Sequence, residues 1–129
     1  MSHFSTIQTK IKEKPQLIEA LNLLGYWAEE NQELKVTGQH AIDHPTVDAE
    51  VLVTKNIGFR LTEEGTYELV TDLELWEEKI PVARFIDKVT QQYARTTLHN
   101  TVKEEGFEIS EEWEMDNNSI ELTVTRWIS

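Results

Sequence analysis

Apolar and polar positions along the chain change period several times, and each change marks an element. From Phe4 to Ile11, Ser5, Ile7, Thr9 and Ile11 alternate with Phe4, Thr6 and Gln8, a two-residue period rich in β-branched side chains that predicts a first strand. Leu17, Ile18, Leu21 and Leu24 then recur at helical spacing. Pro15 suits the first turn of that helix and Gly25 its end. After Tyr26, Trp27 and an acidic turn, Glu33 to Thr37 and Ala49 to Thr54 read as strands on either side of a loop.

The sharpest local pattern is a hairpin. Asn56 to Thr62 and Thr66 to Asp72 flank Glu63, Glu64 and Gly65, a three-residue loop with glycine at its left-handed position. In that register Leu61 faces Tyr67 and Phe59 faces Leu69, while Arg60 faces Glu68 on the other side. Pro81 opens a longer helix, 81–105, whose stripe of Val82, Phe85, Ile86, Val89 and Tyr93 runs toward Gly106. Leu98 and Val102 fall off that stripe, so the helix either bends near Arg95 or buries its last turns elsewhere. Phe107 to Met115 and Ile120 to Trp127 form a last hairpin around Asp116, Asn117, Asn118 and Ser119, and pairing Met115 with Ile120 sets Trp113 opposite Leu122.

The order strand, helix, four strands, helix, two strands predicts one α+β domain over residues 1–129. Its form is a two-layer sandwich, an antiparallel sheet with two helices on one face. A length of 129 residues supports such a core without staples. The absence of cysteine excludes disulfides, thiolate metal sites and a cysteine nucleophile. No apolar run reaches membrane-spanning length and no signal-peptide pattern opens the chain, which predicts no membrane association.

Charge alters the picture more than composition does. Twelve Lys and Arg stand against 24 Asp and Glu, a net charge of -12 that repels phosphate backbones and argues against direct nucleic-acid binding. The acids are clustered. Leu61 to Glu78 and Glu104 to Asp116 each carry seven acids and no Lys or Arg. In the last hairpin the alternation places Glu108, Glu112, Glu114 and Glu121 on an outer face with Trp127, with Glu114 directly across from Glu121, which suits a cationic protein partner. Helix 81–105 carries Arg84, Lys88, Arg95, His99 and Lys103 along one strip that reads as a solvent face or a basic contact strip.

Few residues suggest chemistry. Glycine-rich phosphate loops and hydrolase elbows are absent, and no cofactor is implied. His40, Asp43 and His44, with Asp48 nearby, could ligate a divalent ion if they converged, although a loop does not guarantee that geometry. Glu111 alternates inward with Phe107, Ile109, Trp113 and Met115, where burial would raise its pKa; pairing with Arg126 or a bulge at Glu111 is the structural alternative. Tyr93, Glu111 and Arg126 could accordingly line a small-molecule pocket between helix 81–105 and the sheet. Two functional readings follow: a non-enzymatic acidic module for a larger protein partner, or a small-ligand protein or enzyme built on that pocket. Exposed strand edges also permit a homodimer.

Met1 to Ile7, Leu24-Gly25-Tyr26, Ile57-Gly58-Phe59, Tyr67-Glu68-Leu69-Val70, Phe85 through Ala94, Glu105-Gly106-Phe107 and Arg126-Trp127 together resemble the hypothetical chloroplast reading frame thirty-five family over nearly the whole chain. The resemblance implies a small protein of the cyanobacterial cytoplasm or plastid stroma, and it implies no activity. One departure is Gln91-Gln92-Tyr93-Ala94, where the family pattern reads Gln-Arg-Tyr-Ala.

Overall fold

The computed structural model describes residues 4–37, 46–114 and 120–126. The strands are β1 (Phe4–Gln8), β2 (Glu29–Thr37), β3 (Thr46–Thr54), β4 (Ile57–Leu61), β5 (Tyr67–Asp72), β6 (Phe107–Glu114) and β7 (Ile120–Arg126). The helices are α1 (Lys14–Leu23) and α2 (Val82–Glu104), in the expected order. The protein is α+β, with helices packed on an antiparallel sheet of order β1-β5-β4-β3-β2. The last hairpin forms a separate sheet of two strands, which lies against α2.

Local chemistry explains most boundaries. Gly25, at φ 97°, ends α1 by letting the Tyr26 N–H reach back to the Leu21 carbonyl at 2.9 Å. Pro81 caps α2 and Gly106, at φ 83°, closes it. The β4–β5 register agrees with expectation at all three pairs, Leu61 with Tyr67, Arg60 with Glu68 and Phe59 with Leu69.

Other boundaries moved. β1 stops at Gln8 because the Thr9 hydroxyl turns to donate to the Tyr67 carbonyl and accepts from the Ile11 N–H. β2 begins at Glu29, so the expected acidic turn is strand; a bulge between Glu30 and Leu34 keeps both halves of β2 paired to β3. β3 likewise starts earlier, at Thr46.

The core between helices and sheet is made of Leu17 and Leu21 from α1, Phe85 and Val89 from α2, and Val51, Phe59 and Leu69 from the sheet, all buried. The Phe85 ring meets Tyr26 and Trp76 edge-on, at centroid distances of 5.4 and 5.5 Å. The Tyr93 hydroxyl accepts from the N–H groups of Lys12 and Glu13, fastening α2 to the entry of α1.

The Tyr26 hydroxyl donates to Glu78 at 3.0 Å, and burial, this bond and the Glu78 charge push its pKa from 10.0 up to about 12. Folding therefore favours the neutral phenol. The stability this supplies is intact below pH 10.0 and is lost as pH rises toward about 12. Tyr26→Phe is expected to lower stability at neutral pH and to flatten the loss above pH 10.0; an unchanged alkaline limb in pH-dependent urea unfolding would refute this.

Candidate functional site

The surface built by β6, β7 and α2 contains most of the residues singled out in the sequence, and one extra residue rearranges them. Glu114 pairs with Ile120, Trp113 with Glu121, Glu112 with Leu122 and Glu111 with Thr123; the register then slips, and Ile109 pairs with Val124. Ser110 is the additional residue, its hydroxyl donating to the Thr123 carbonyl at 3.1 Å. The expected pairs of Trp113 with Leu122 and Glu114 with Glu121 do not form. A one-residue slip and a bulge each reverse which face a side chain takes.

Consequently, the four glutamates expected on one face are divided. Glu108 and Glu121 lie on the outer face, away from α2, whereas Glu112 and Glu114 are on the side of the helix. Glu111 and Trp113, both expected inward, are outward and exposed, Trp113 to 46%. Of the two structural alternatives for Glu111, the bulge beside it is present. In the backbone register Arg126 pairs with Phe107.

Glu112 is the ionic link between hairpin and helix. Arg95 donates from Nη2 to Oε2 at 3.0 Å, its Nε lies 2.6 Å from Oε1, and His99 Nε2 is 3.2 Å from Oε1 but outside hydrogen-bond geometry. Burial alone would raise the Glu112 pKa, but Arg95 and His99 outweigh it and hold the carboxyl below its usual 4.5. The basic strip of α2 thus meets the hairpin over part of its length instead of forming a plain solvent face. The later turns of α2 meet β6 through Arg95, His99 and Glu112; Val102 is half-buried, whereas Leu98 is left exposed.

The pocket expected from Tyr93, Glu111 and Arg126 is not assembled. Tyr93 is engaged with the backbone before α1, Glu111 is on the outer hairpin face, and the space between α2 and the five-stranded sheet is filled by Phe59, Leu69, Phe85 and Val89. A cavity of about 710 Å³ lies instead on the other face of that sheet, beside Gln8, Arg60 and Glu68. Glu68 is only 8% exposed; Arg60 donates to its Oε1 from Nε at 2.9 Å and from Nη2 at 2.6 Å, and Gln8 donates to Oε2. This carboxylate is saturated by structural bonds. His40, Asp43, His44 and Trp127 lie outside the described residues. Among the described residues no group of three or more His, Asp or Glu gathers to hold a metal, and no helix is long and apolar enough to cross a membrane.

The sequence profile of a family described as "Protein of unknown function (DUF1257)" matches residues 20–123, from α1 through β7 and so across both sheets and both helices. The chain belongs to this DUF1257 family. Relatives in the family include the "Uncharacterized protein ycf35" of Cyanophora paradoxa, 37% identical over 132 residues, and that of Pyropia yezoensis, 35% identical over 134 residues; in both, 98% of each chain is covered. The protein of the same description from Guillardia theta is 31% identical over 132 residues, with equal coverage. These three relatives of the DUF1257 protein are of the plastid-type ycf35 kind, and each is described as uncharacterized. No solved structure matches the chain.

Proposed function

We propose that the chain is a non-enzymatic accessory module of the cyanobacterial cytoplasm or plastid stroma that presents the outer face of β6–β7 to a larger, basic protein partner. The observation that carries this reading is the position of Trp113, half exposed, directly across from Glu121 and two residues from Glu111 on the same face. A large indole surrounded by carboxylates combines an apolar anchor with charges that orient a cationic surface. Glu108 extends the same face toward the start of β6. A second copy of so acidic a face would repel it, so a basic partner suits it better than a homodimer does.

The test compares the native chain with a variant carrying Glu108→Gln, Glu111→Gln, Glu121→Gln and Trp113→Ala, each immobilised and exposed to lysate of the native host at low salt. The expected result is one protein of high isoelectric point retained by the native chain, released by salt and absent from the variant. The reading is rejected if both surfaces retain the same proteins, since all four residues are exposed and the variant should fold normally.

A further inference from the structure

A second cavity, about 320 Å³, lies between the C-terminal ends of the two helices and belongs neither to the hairpin face nor to the core. Its α1 wall carries Glu19 and Leu23; its α2 wall carries Gln92, Arg95, Asn100 and Lys103. The walls have opposite charge, yet no ion pair joins Glu19 to Lys103, and neither has an ionic partner among the described residues. Two opposite charges lining one cavity without meeting leave both available to a ligand.

The arginine is held ready. A guanidinium has five N–H donors. Glu112 occupies the Nε and Nη2 edge of Arg95, which fixes the plane and leaves Nη1 without a partner among the described residues. Gln92 and Asn100 add amide donors and acceptors, and Leu23, 63% exposed, adds an apolar surface. At roughly 30 Å³ for a water-sized group, the cavity holds on the order of ten heavy atoms.

We propose that this cavity binds a small zwitterion of the α-amino acid class. Its carboxylate is taken by Arg95 and Lys103, its ammonium by Glu19, and its side chain rests on Leu23 and the two amides. A simple anion would be opposed by Glu19 and a simple cation by the α2 wall, whereas a zwitterion satisfies both walls. This site does not depend on the hairpin face.

The test titrates glycine, L-leucine, L-glutamine and L-glutamate into the full chain while the side-chain amide resonances of Gln92 and Asn100 are followed by nuclear magnetic resonance. At least one is expected to saturate those signals below millimolar concentration. For that compound the decarboxylated amine and the deaminated acid should each bind at least about tenfold more weakly, the loss of one charge contact. Glu19→Gln and Lys103→Gln should weaken binding by a similar factor, and Lys55→Gln, in the β3–β4 turn, should not. These substitutions are at exposed positions, and circular dichroism verifies folding. The proposal is overturned if none of the four compounds gives a saturable shift, or if the deaminated acid binds as well as the amino acid, which would make the cavity an anion site only.

Discussion

Replacing Phe85 by alanine is expected to remove about 3–5 kcal/mol of folding stability and to lower the melting temperature by roughly 10–20 °C. Phe85 is 1% exposed and sits where α2 meets both α1 and the sheet, in edge-on contact with Tyr26 and Trp76. Truncation leaves a cavity that those rings cannot easily close, because Tyr26 is held by Glu78 and the Trp76 indole N–H is held by the Ile80 carbonyl. With a typical domain stable by about 5–15 kcal/mol, this one ring accounts for a large share. The exposed Trp113 provides the contrast. Trp113→Ala, although a larger truncation, should cost below about 1 kcal/mol because its removal opens no cavity. Urea denaturation of both variants measures the difference; equal losses would contradict the assignment of Phe85 to the core and Trp113 to an exposed face.

Glu112→Gln is expected to cost about 1–2 kcal/mol at neutral pH, less than a fully buried ion pair because Arg95 is 45% exposed. The more specific consequence is in acid. Since Arg95 and His99 hold the folded-state carboxyl below 4.5, the stability it contributes is present above that pH and is lost as pH falls through the folded value. The variant should lack this part of the acid limb. Hydrogen exchange locates the effect: amides of β6 and β7 should lose protection before those of β4 and β5, because the hairpin is a separate sheet that contacts α2 and no strand of the larger sheet is its ladder partner. Uniform loss of protection across both sheets would show that Glu112 does not act as the local fastening of the hairpin.

Legibility differed along the chain for identifiable reasons. In the β4–β5 hairpin, Gly65 determines the loop while two apolar pairs and the Arg60–Glu68 charge pair all specify one register, so local signals agree. In the β6–β7 hairpin they do not. Residues 107–115 are rich in glutamate, and either register leaves some of them outward, so alternation alone could not reveal the additional residue at Ser110. Glu112 was expected on the outer face, and its ionic role toward α2 was missed. Its signal lay in the other element, since Arg95 and His99 are one helical turn apart and a single carboxylate can sit beside both.

By itself, the sequence determined the element order, the α+β class, the core stripes of both helices, the central hairpin register and the family, because these depend on periodicity, turn chemistry and local order of motifs. Only the tertiary structure decided that the last hairpin stands as its own sheet, that Glu112 faces inward while Glu111 and Trp113 face out, and that the ends of α1 and α2 enclose a cavity of mixed charge. Those outcomes rest on a single-residue bulge and on contacts between distant segments, where opposite charges on α2 and β6 find each other across space and no pattern along one segment encodes the meeting.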